Sequence, residues 1–286
     1  MLSKFKIRCS AINKIMGGSM DLTDTQKKDL FTLTTRKADA LIGKAKPLTE
    51  KMEETLSVLI EKEKNPELPT GAKTYVKQWL KQQKYKRYKQ IKSKYIDKGN
   101  ATEQKGFTLM STELSLGMVY SNTEFKSNDF MCGTCDLDMP DLDTVYDNKS
   151  SWDLETFPMY DNEIPNKDYE AQIQGYMELW NRSKGAVVYT LIDIPEEQLI
   201  REFPWNGSDD AKQAVAINLI YTREYWDAMK TKYFPNAKDI EFIEIPASER
   251  VKPFYFERDR DYVANVKKRA EMCDAYVKEL IGGDNE

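Results

Sequence analysis

Histidine is absent from all 286 residues. Ser-His-Asp and Cys-His catalysis, histidine-ligated zinc and histidine-dependent nuclease motifs each lose a residue they need. No G-x-x-x-x-G-K-[ST] occurs, which argues against a P-loop motor. The four cysteines, Cys9, Cys132, Cys135 and Cys273, are too few and scattered for a disulfide framework in so long a chain. No run approaches the roughly 18 uncharged apolar residues of a membrane span. The start, MLSKFKIRCSAINKIMGG, carries basic residues where a signal peptide has its apolar stretch. A cytoplasmic protein with no membrane partner is expected. Carboxylates, lysines and tyrosines remain for difficult chemistry, a set that suits a divalent metal with oxygen ligands.

What is there can bury a sizeable core: 40% of residues are hydrophobic, and the length suggests one large domain over residues 1–286. The net charge of -4 hides an asymmetry. Lys77, Lys81, Lys84, Lys86, Arg87, Lys89, Lys92, Lys94 and Lys98 stand within one stretch against a single acid, Asp97. A local positive field attracts phosphates whatever the total charge. Val76, Leu80, Tyr88, Ile91 and Tyr95 fall on about a third of a helical wheel, so a helix over 77–98 with a basic solvated face is expected. Lys84, Lys86, Arg87, Lys89, Lys92 and Lys94 are its candidate DNA contacts; a plain solvated helix face is the alternative.

Capping signals and periodicity organise the rest. IRCSAINKIMG reads as a short helix capped by Ser10, and Thr23 with Gln26 forms a capping box opening the next helix. A second amphipathic helix over LTEKMEETLSVLIEKEKN completes a helical hairpin (20–70), closed by the turn NPELPTG. A helix around ATEQKGFTLMSTEL leads to strands near 130–136 and 144–150, within a central part over 99–195. A helix over 167–182 and the β-rich GAVVYTLIDI follow. The C-terminal part (205–286) is expected to hold a helix near 211–233, strands in IEFIEIP and VKPFYFE, and a helix from about 259 to 281. Helices flanking a mixed sheet make an α/β sandwich the best class.

VYDNKSSWD, residues 145–153, sets Asp147 and Lys149 on one face of a strand, with Asn148 on the other. Taken alone, that is a surface ion pair. Asp136 precedes Asp147 in the pattern D-x10-D-x-K, on two strands that can form a hairpin bringing both carboxylates and the ammonium together. Glu103 upstream offers a third carboxylate, with Glu113 its rival. Gln172 and Tyr176 downstream share a helical face at i and i+4. Asp138, Asp141 and Asp143 read as loop acids at the hairpin turn.

The set Glu103, Asp136, Asp147-x-Lys149 and Gln172-x-x-x-Tyr176 resembles the active site of the PD-(D/E)XK nuclease superfamily, in the branch of phage lambda exonuclease, YqaJ-type viral recombinases and RecB-type nuclease domains. RCSAINKIM is also similar to the Ser-led first helix of that exonuclease group. The resemblance covers roughly residues 5–195. Asp147 replaces the usual Glu of E-x-K, shortening a ligand by one methylene, and Cys135 replaces the usual Pro before the first Asp.

The resemblance implies a restriction-endonuclease-like α/β/α sandwich with a central mixed sheet, flanked by the helical hairpin and C-terminal helices. It implies a metal-dependent deoxyribonuclease, with a 5′-to-3′ exonuclease on linear duplex DNA in phage recombination or repair as the first reading. A structure-selective endonuclease and a catalytically silent DNA- or partner-binding protein are the alternatives. Glu103, Asp136, Asp147 and the carbonyl of Asn148 would hold Mg2+ or Mn2+, which neutralises charge on the phosphorane and generates hydroxide. Lys149 would orient or deprotonate the attacking water. Gln172 and Tyr176 would brace the lysine and the scissile strand, although Tyr176 also reads as core. Arg8 and Ser10 at a helix N-terminus would grip a 5′ phosphate, with an ordinary N-cap the alternative. The group implies duplex DNA ends as substrate, a single-strand annealing protein as partner and a homo-oligomer. Cys132 and Cys135 invite a zinc or iron-sulfur reading, but iron-sulfur members place three cysteines after the Q-x-x-x-Y motif and only Cys273 follows it here.

Overall fold

The computed structural model describes residues 4–282. In chain order these form β1 (Ile7–Arg8), α1 (Ile12–Met16), α2 (Asp24–Leu41), α3 (Glu50–Lys64), α4 (Thr70–Tyr85), α5 (Lys94–Glu113), β2 (Lys126–Ser127), β3 (Met131–Gly133), β4 (Leu137–Met139), β5 (Thr144–Ser150), α6 (Lys167–Trp180), β6 (Lys184–Thr190), α7 (Glu196–Glu202), α8 (Asp209–Ala216), α9 (Arg223–Tyr233), β7 (Val251–Glu257) and α10 (Arg260–Gly282). Their contacts fall into two compact units, one holding Asn13–Arg87 with the chain ends up to Phe5 and from Asn265, the other Lys6–Ile12 and Tyr88–Ala264. No described helix is long and apolar enough to cross a membrane.

In the first unit the expected helical hairpin is α2 and α3. The Thr23 hydroxyl accepts from Gln26 N–H while the Gln26 side chain accepts from Thr23 N–H, so the box satisfies two free donors at the α2 terminus. Leu22, Leu33, Leu56 and Leu59 form the buried seam. Phe5 packs its ring edge-on against Trp79 of α4 at 5.0 Å, and its N–H donates to Asp274 of α10 at 2.9 Å.

The second unit is built on a four-stranded mixed sheet of order β4-β5-β6-β7. β4 and β5 are an antiparallel hairpin, β5 and β6 run parallel through the α6 crossover, and β7 returns antiparallel to β6. Alternation along the strands decides which helix covers which face. Tyr146, Ala186 and Val188 pack with Phe107 and Met110 of α5. On the opposite face Gly185 leaves room for Ile173 and Met177 of α6, whose atoms lie 2.6 and 3.1 Å from where a Cβ would stand. A small sheet of order β1-β3-β2 continues beside α6, and Gly175 and Gly133 let Cys9, Ile12 and Tyr176 approach. The class is α/β, as expected.

Several local expectations are corrected. The helix over 77–98 is broken in two: α4 ends where Lys86 turns left-handed (φ 52°, ψ 35°), and α5 starts only at Lys94, its N-terminus capped by the Ser93 hydroxyl. The apolar spacing ran through this break by coincidence, and Tyr88, Ile91 and Tyr95 face solvent. Ser10 is not an N-cap; it lies inside a 3-10 turn, Cys9–Ala11, preceded by Arg8. The helix near 211–233 divides into α8 and α9, because Asp193 captures the N–H groups of Tyr221 and Thr222 in the connection. IEFIEIP forms no strand; Phe242 alone plugs the cluster around Trp226, stacked on it at 4.6 Å, while Ile240 and Ile243 stay exposed. The strand near 130–136 is two short strands, with Asp136 immediately ahead of the second.

Candidate active site

The β4–β5 hairpin sets the geometry of the acids. Its register pairs Leu137 with Tyr146, so one further step places Asp136 opposite Asp147. The N–H of Asn148 donates to Asp136 Oδ2 at 2.7 Å, fastening the first acid to the strand that bears the second acid and the lysine. Lys149 Nζ lies 2.6 Å from Asp147 Oδ2, an ion pair with both partners largely buried. The period-two reading of this strand holds: Asp147 and Lys149 share a face, while the Asn148 amide turns to the other and accepts from Thr190 at 2.9 Å.

α6 supplies the second layer. Gln172 Nε2 donates to Asp147 Oδ1 at 3.3 Å and to the Tyr176 hydroxyl at 2.9 Å, while its Oε1 accepts from Lys149 at 3.4 Å. One amide thus holds acid, lysine and tyrosine in a fixed arrangement. Tyr176 is core, buried and edge-on to Trp180, with its hydroxyl on Gln172. Tyr169, which the motif search passed over, places its ring centroid 4.5 Å from Lys149 Nζ. Its signal was present in the sequence as a tyrosine one helical turn before Gln172.

α5 supplies the third layer through a row that sequence reading missed. Lys98 donates to the carbonyls of Ser151 and Trp152 at 2.8 and 2.7 Å. Four residues on, the Thr102 hydroxyl meets that of Ser150 at 2.9 Å. Four further, Gly106 lies so close to Asn148 that a Cβ would stand 2.5 Å from its Nδ2. Spacing of four residues puts these groups on one helical stripe, which fixes α5 along β5 and carries Glu103 beside it. Glu103 is partly buried, and its charge reaches Asp136; Glu113 at the far end of α5 makes no such contribution.

Burial raises the Asp136 carboxyl to about 7, aided by the charge of Asp147 and, less, by that of Glu103. Burial alone would depress the Lys149 ammonium, but Asp147 and Asp136 outweigh it and leave the group raised. Acids that repel one another, and a buried Asp147 Oδ2 with no hydrogen bond of good geometry, suit a hard divalent cation. Asp136, Asp147 and Glu103 are the carboxylates that would hold it, with the Asn148 carbonyl adjoining. Among the described residues no three His, Cys, Asp or Glu side chains are grouped closely enough to hold a metal ion, and Lys149 stands against Asp147.

The other candidates fall outside this cluster. Asp138 is not a loop acid: it forms a two-pronged pair with Arg182 at 2.7 and 2.9 Å, and Asp143 accepts from Ser183. Cys132 and Cys135 are free thiols, and burial pushes Cys135 up to about 12. Arg8 and Ser10 are exposed. Lys84, Lys86, Arg87, Lys89 and Lys92 are exposed or partly so, on the end of α4 and the segment after it, whereas Lys94 pairs with Glu202 at 2.7 Å.

No protein-family model and no curated protein matches the chain. Among solved structures it is similar to a phage related exonuclease from Haemophilus somnus 129PT, with a TM-score of 0.64 and 23% identity over 99% of this chain and 98% of that one. It is similar also to an alkaline exonuclease (LHK-Exo) from Laribacter hongkongensis, with a TM-score of 0.52 and 10% identity over 97% and 90% of the two chains. The same exonuclease in complex with dAMP gives 0.50 and 10%. At these identities the likeness is one of fold, and it extends over nearly the whole of each chain.

Proposed function

We propose that this chain is a metal-dependent DNA nuclease of the PD-(D/E)XK superfamily, acting as an exonuclease on linear duplex DNA. The observation that carries this reading is the convergence of Asp136, Asp147, Lys149 and Gln172 at one end of the β4–β5 hairpin. A fold shared end to end with proteins described as exonucleases supports it, one of them crystallised with dAMP.

In this reading Mg2+ or Mn2+, when bound, supplies Lewis acidity at the phosphate and makes water a nucleophile at neutral pH. Asp136 and Asp147 hold the charge that fixes the ion, with Glu103 and the Asn148 carbonyl beside them. Lys149, kept cationic by Asp147, orients the attacking water and offsets the negative charge that grows on phosphorus. Gln172 offers the lysine ammonium a second, longer contact beside Asp147, and the Tyr176 hydroxyl holds Gln172 in place. Strand polarity of 5′ to 3′, a 5′-phosphate grip by Arg8 and Ser10, an annealing-protein partner and a homo-oligomer belong to the same proposal, on the resemblance of the motifs.

Linear duplex labelled separately at each end, incubated with Mg2+, Mn2+ or chelator, tests it. Metal-dependent release that Lys149→Ala abolishes is expected, with the 5′ label leaving first. Cutting of covalently closed or branched DNA would shift the reading to an endonuclease, and no digestion of any DNA under any metal would leave a silent binding protein. Equal rates on 5′-phosphorylated and 5′-hydroxyl duplexes would remove the phosphate grip.

A further inference from the structure

The break in the expected basic helix leaves large side chains in water. Tyr88 is 57% exposed and Ile91 70%, along a stretch with no regular structure before α5, and Tyr95, in the first turn of α5, is 59% exposed. Lys89 and Lys92, interleaved with them, are exposed and enter no ion pair among the described residues. At its far end the segment meets Trp152: the Tyr95 ring stands edge-on to it at 5.3 Å, and Lys94 Nζ lies 4.5 Å from its centroid. Trp152 is three residues after Lys149, so the chain places it within about 10 Å of the lysine. Tyr88 and Tyr95 therefore bracket the exposed Lys89 and Lys92 along a strip whose Tyr95 end lies beside the candidate catalytic strand.

We propose that Tyr88–Tyr95 is a stacking platform for single-stranded nucleic acid, with the partly buried Trp152 supporting Tyr95 from behind. Within a duplex the faces of the bases are covered by their neighbours except at the two ends, so along its length an exposed ring beside a lysine suits an unpaired strand, whose bases stack on the ring while its phosphates meet the ammonium. A helical stripe with these rings buried would have served duplex phosphates alone. A broken helix that turns Tyr88 and Tyr95 outward serves a strand already separated from its complement. The inference rests on the nuclease reading only in taking nucleic acid as the polymer; the platform would hold the unpaired strand next to the site.

Fluorescence anisotropy of the full chain in EDTA, where no turnover occurs, tests this with a fluorescein-labelled oligothymidylate and a blunt duplex. Tyr88→Ala is expected to weaken oligothymidylate binding about tenfold, with little change on the duplex, and Tyr88→Phe to retain it. Replacing Lys89 and Lys92 together by Ala is expected to flatten the slope of log Kd against log salt by about 1.4, at roughly 0.7 per phosphate contact. Equal losses on the two probes, no loss in Tyr88→Ala, or no binding of oligothymidylate would overturn the platform. A chain that digests DNA yet fails here overturns the platform alone; one that binds the single strand and never digests DNA overturns the nuclease reading alone.

Discussion

The N–H of Asn148 donates to Asp136 across the β4–β5 hairpin at 2.7 Å. A main-chain group of the second motif thereby holds the carboxylate of the first, and the ten residues between them become a fixed distance. The arrangement keeps two acids close, with the Lys149 ammonium offsetting their repulsion only in part, at a cost in stability that the fold must offset elsewhere.

Asp136→Asn separates that cost from function. The amide oxygen can still accept from Asn148, but the charge facing Asp147 is gone. Thermal unfolding in chelator is expected to occur a few degrees higher than in wild type, while digestion of linear duplex is lost. A variant that unfolds earlier in chelator would show that repulsion between these acids is not a significant strain.

Tyr176→Phe removes the hydroxyl that accepts from Gln172 while keeping the ring against Trp180. A buried hydrogen bond of this kind contributes about 1 kcal/mol, so stability should fall by about that amount in urea unfolding. The turnover number should fall with KM nearly unchanged, because Gln172 would be free to rotate away from Lys149. A change confined to stability would assign Tyr176 to the core alone.

Gly106→Ala introduces a methyl group 2.5 Å from Asn148 Nδ2 and 3.2 Å from Thr190 Oγ1. Alanine would ordinarily favour a helix by about 1 kcal/mol, yet overpacking costs about 1–3 kcal/mol, so net destabilisation by about 1 kcal/mol is expected in urea unfolding. Since α5 and β5 would be pushed apart, activity should drop as well. A more stable variant would mean that the Asn148 amide swings aside freely.

Lys98 gives a pH signature remote from the acids. Burial lowers its ammonium to about 8 from an ordinary value of 10.5, although Asp193 and Asp153 oppose the shift. Between those two pH values the unfolded chain binds the proton and the folded chain does not, so stability rises with pH across that window. Comparing wild type with Lys98→Met cancels most other titrations, and the stability of wild type relative to the variant should increase from about pH 8 to about pH 10.5. A flat difference would place the Lys98 ammonium in an environment that solvates it as water does.

Much of the site was legible because its signals are local. Period two along a strand puts Asp147 and Lys149 together, and an i, i+4 spacing puts Gln172 and Tyr176 together; both follow from the geometry of a single element. The capping box at Thr23 and Gln26 is equally local. The helix expected over 77–98 failed because periodicity reports which residues would share a face, while Lys86 and Ser93 end and restart the helix irrespective of that pattern.

The sequence by itself determined the chemistry on offer: with no histidine, the acids, Lys149 and Gln172 are what this chain has for the work, and their order along two strands and a helix is written in it. Only the tertiary structure decided that Asp136 faces Asp147, that Glu103 rather than Glu113 comes within range of Asp136, and that Lys98, Thr102 and Gly106 fasten α5 to the strand. Hairpin register and helix docking depend on contacts between residues far apart in the chain, where packing and hydrogen-bond satisfaction outweigh any local preference.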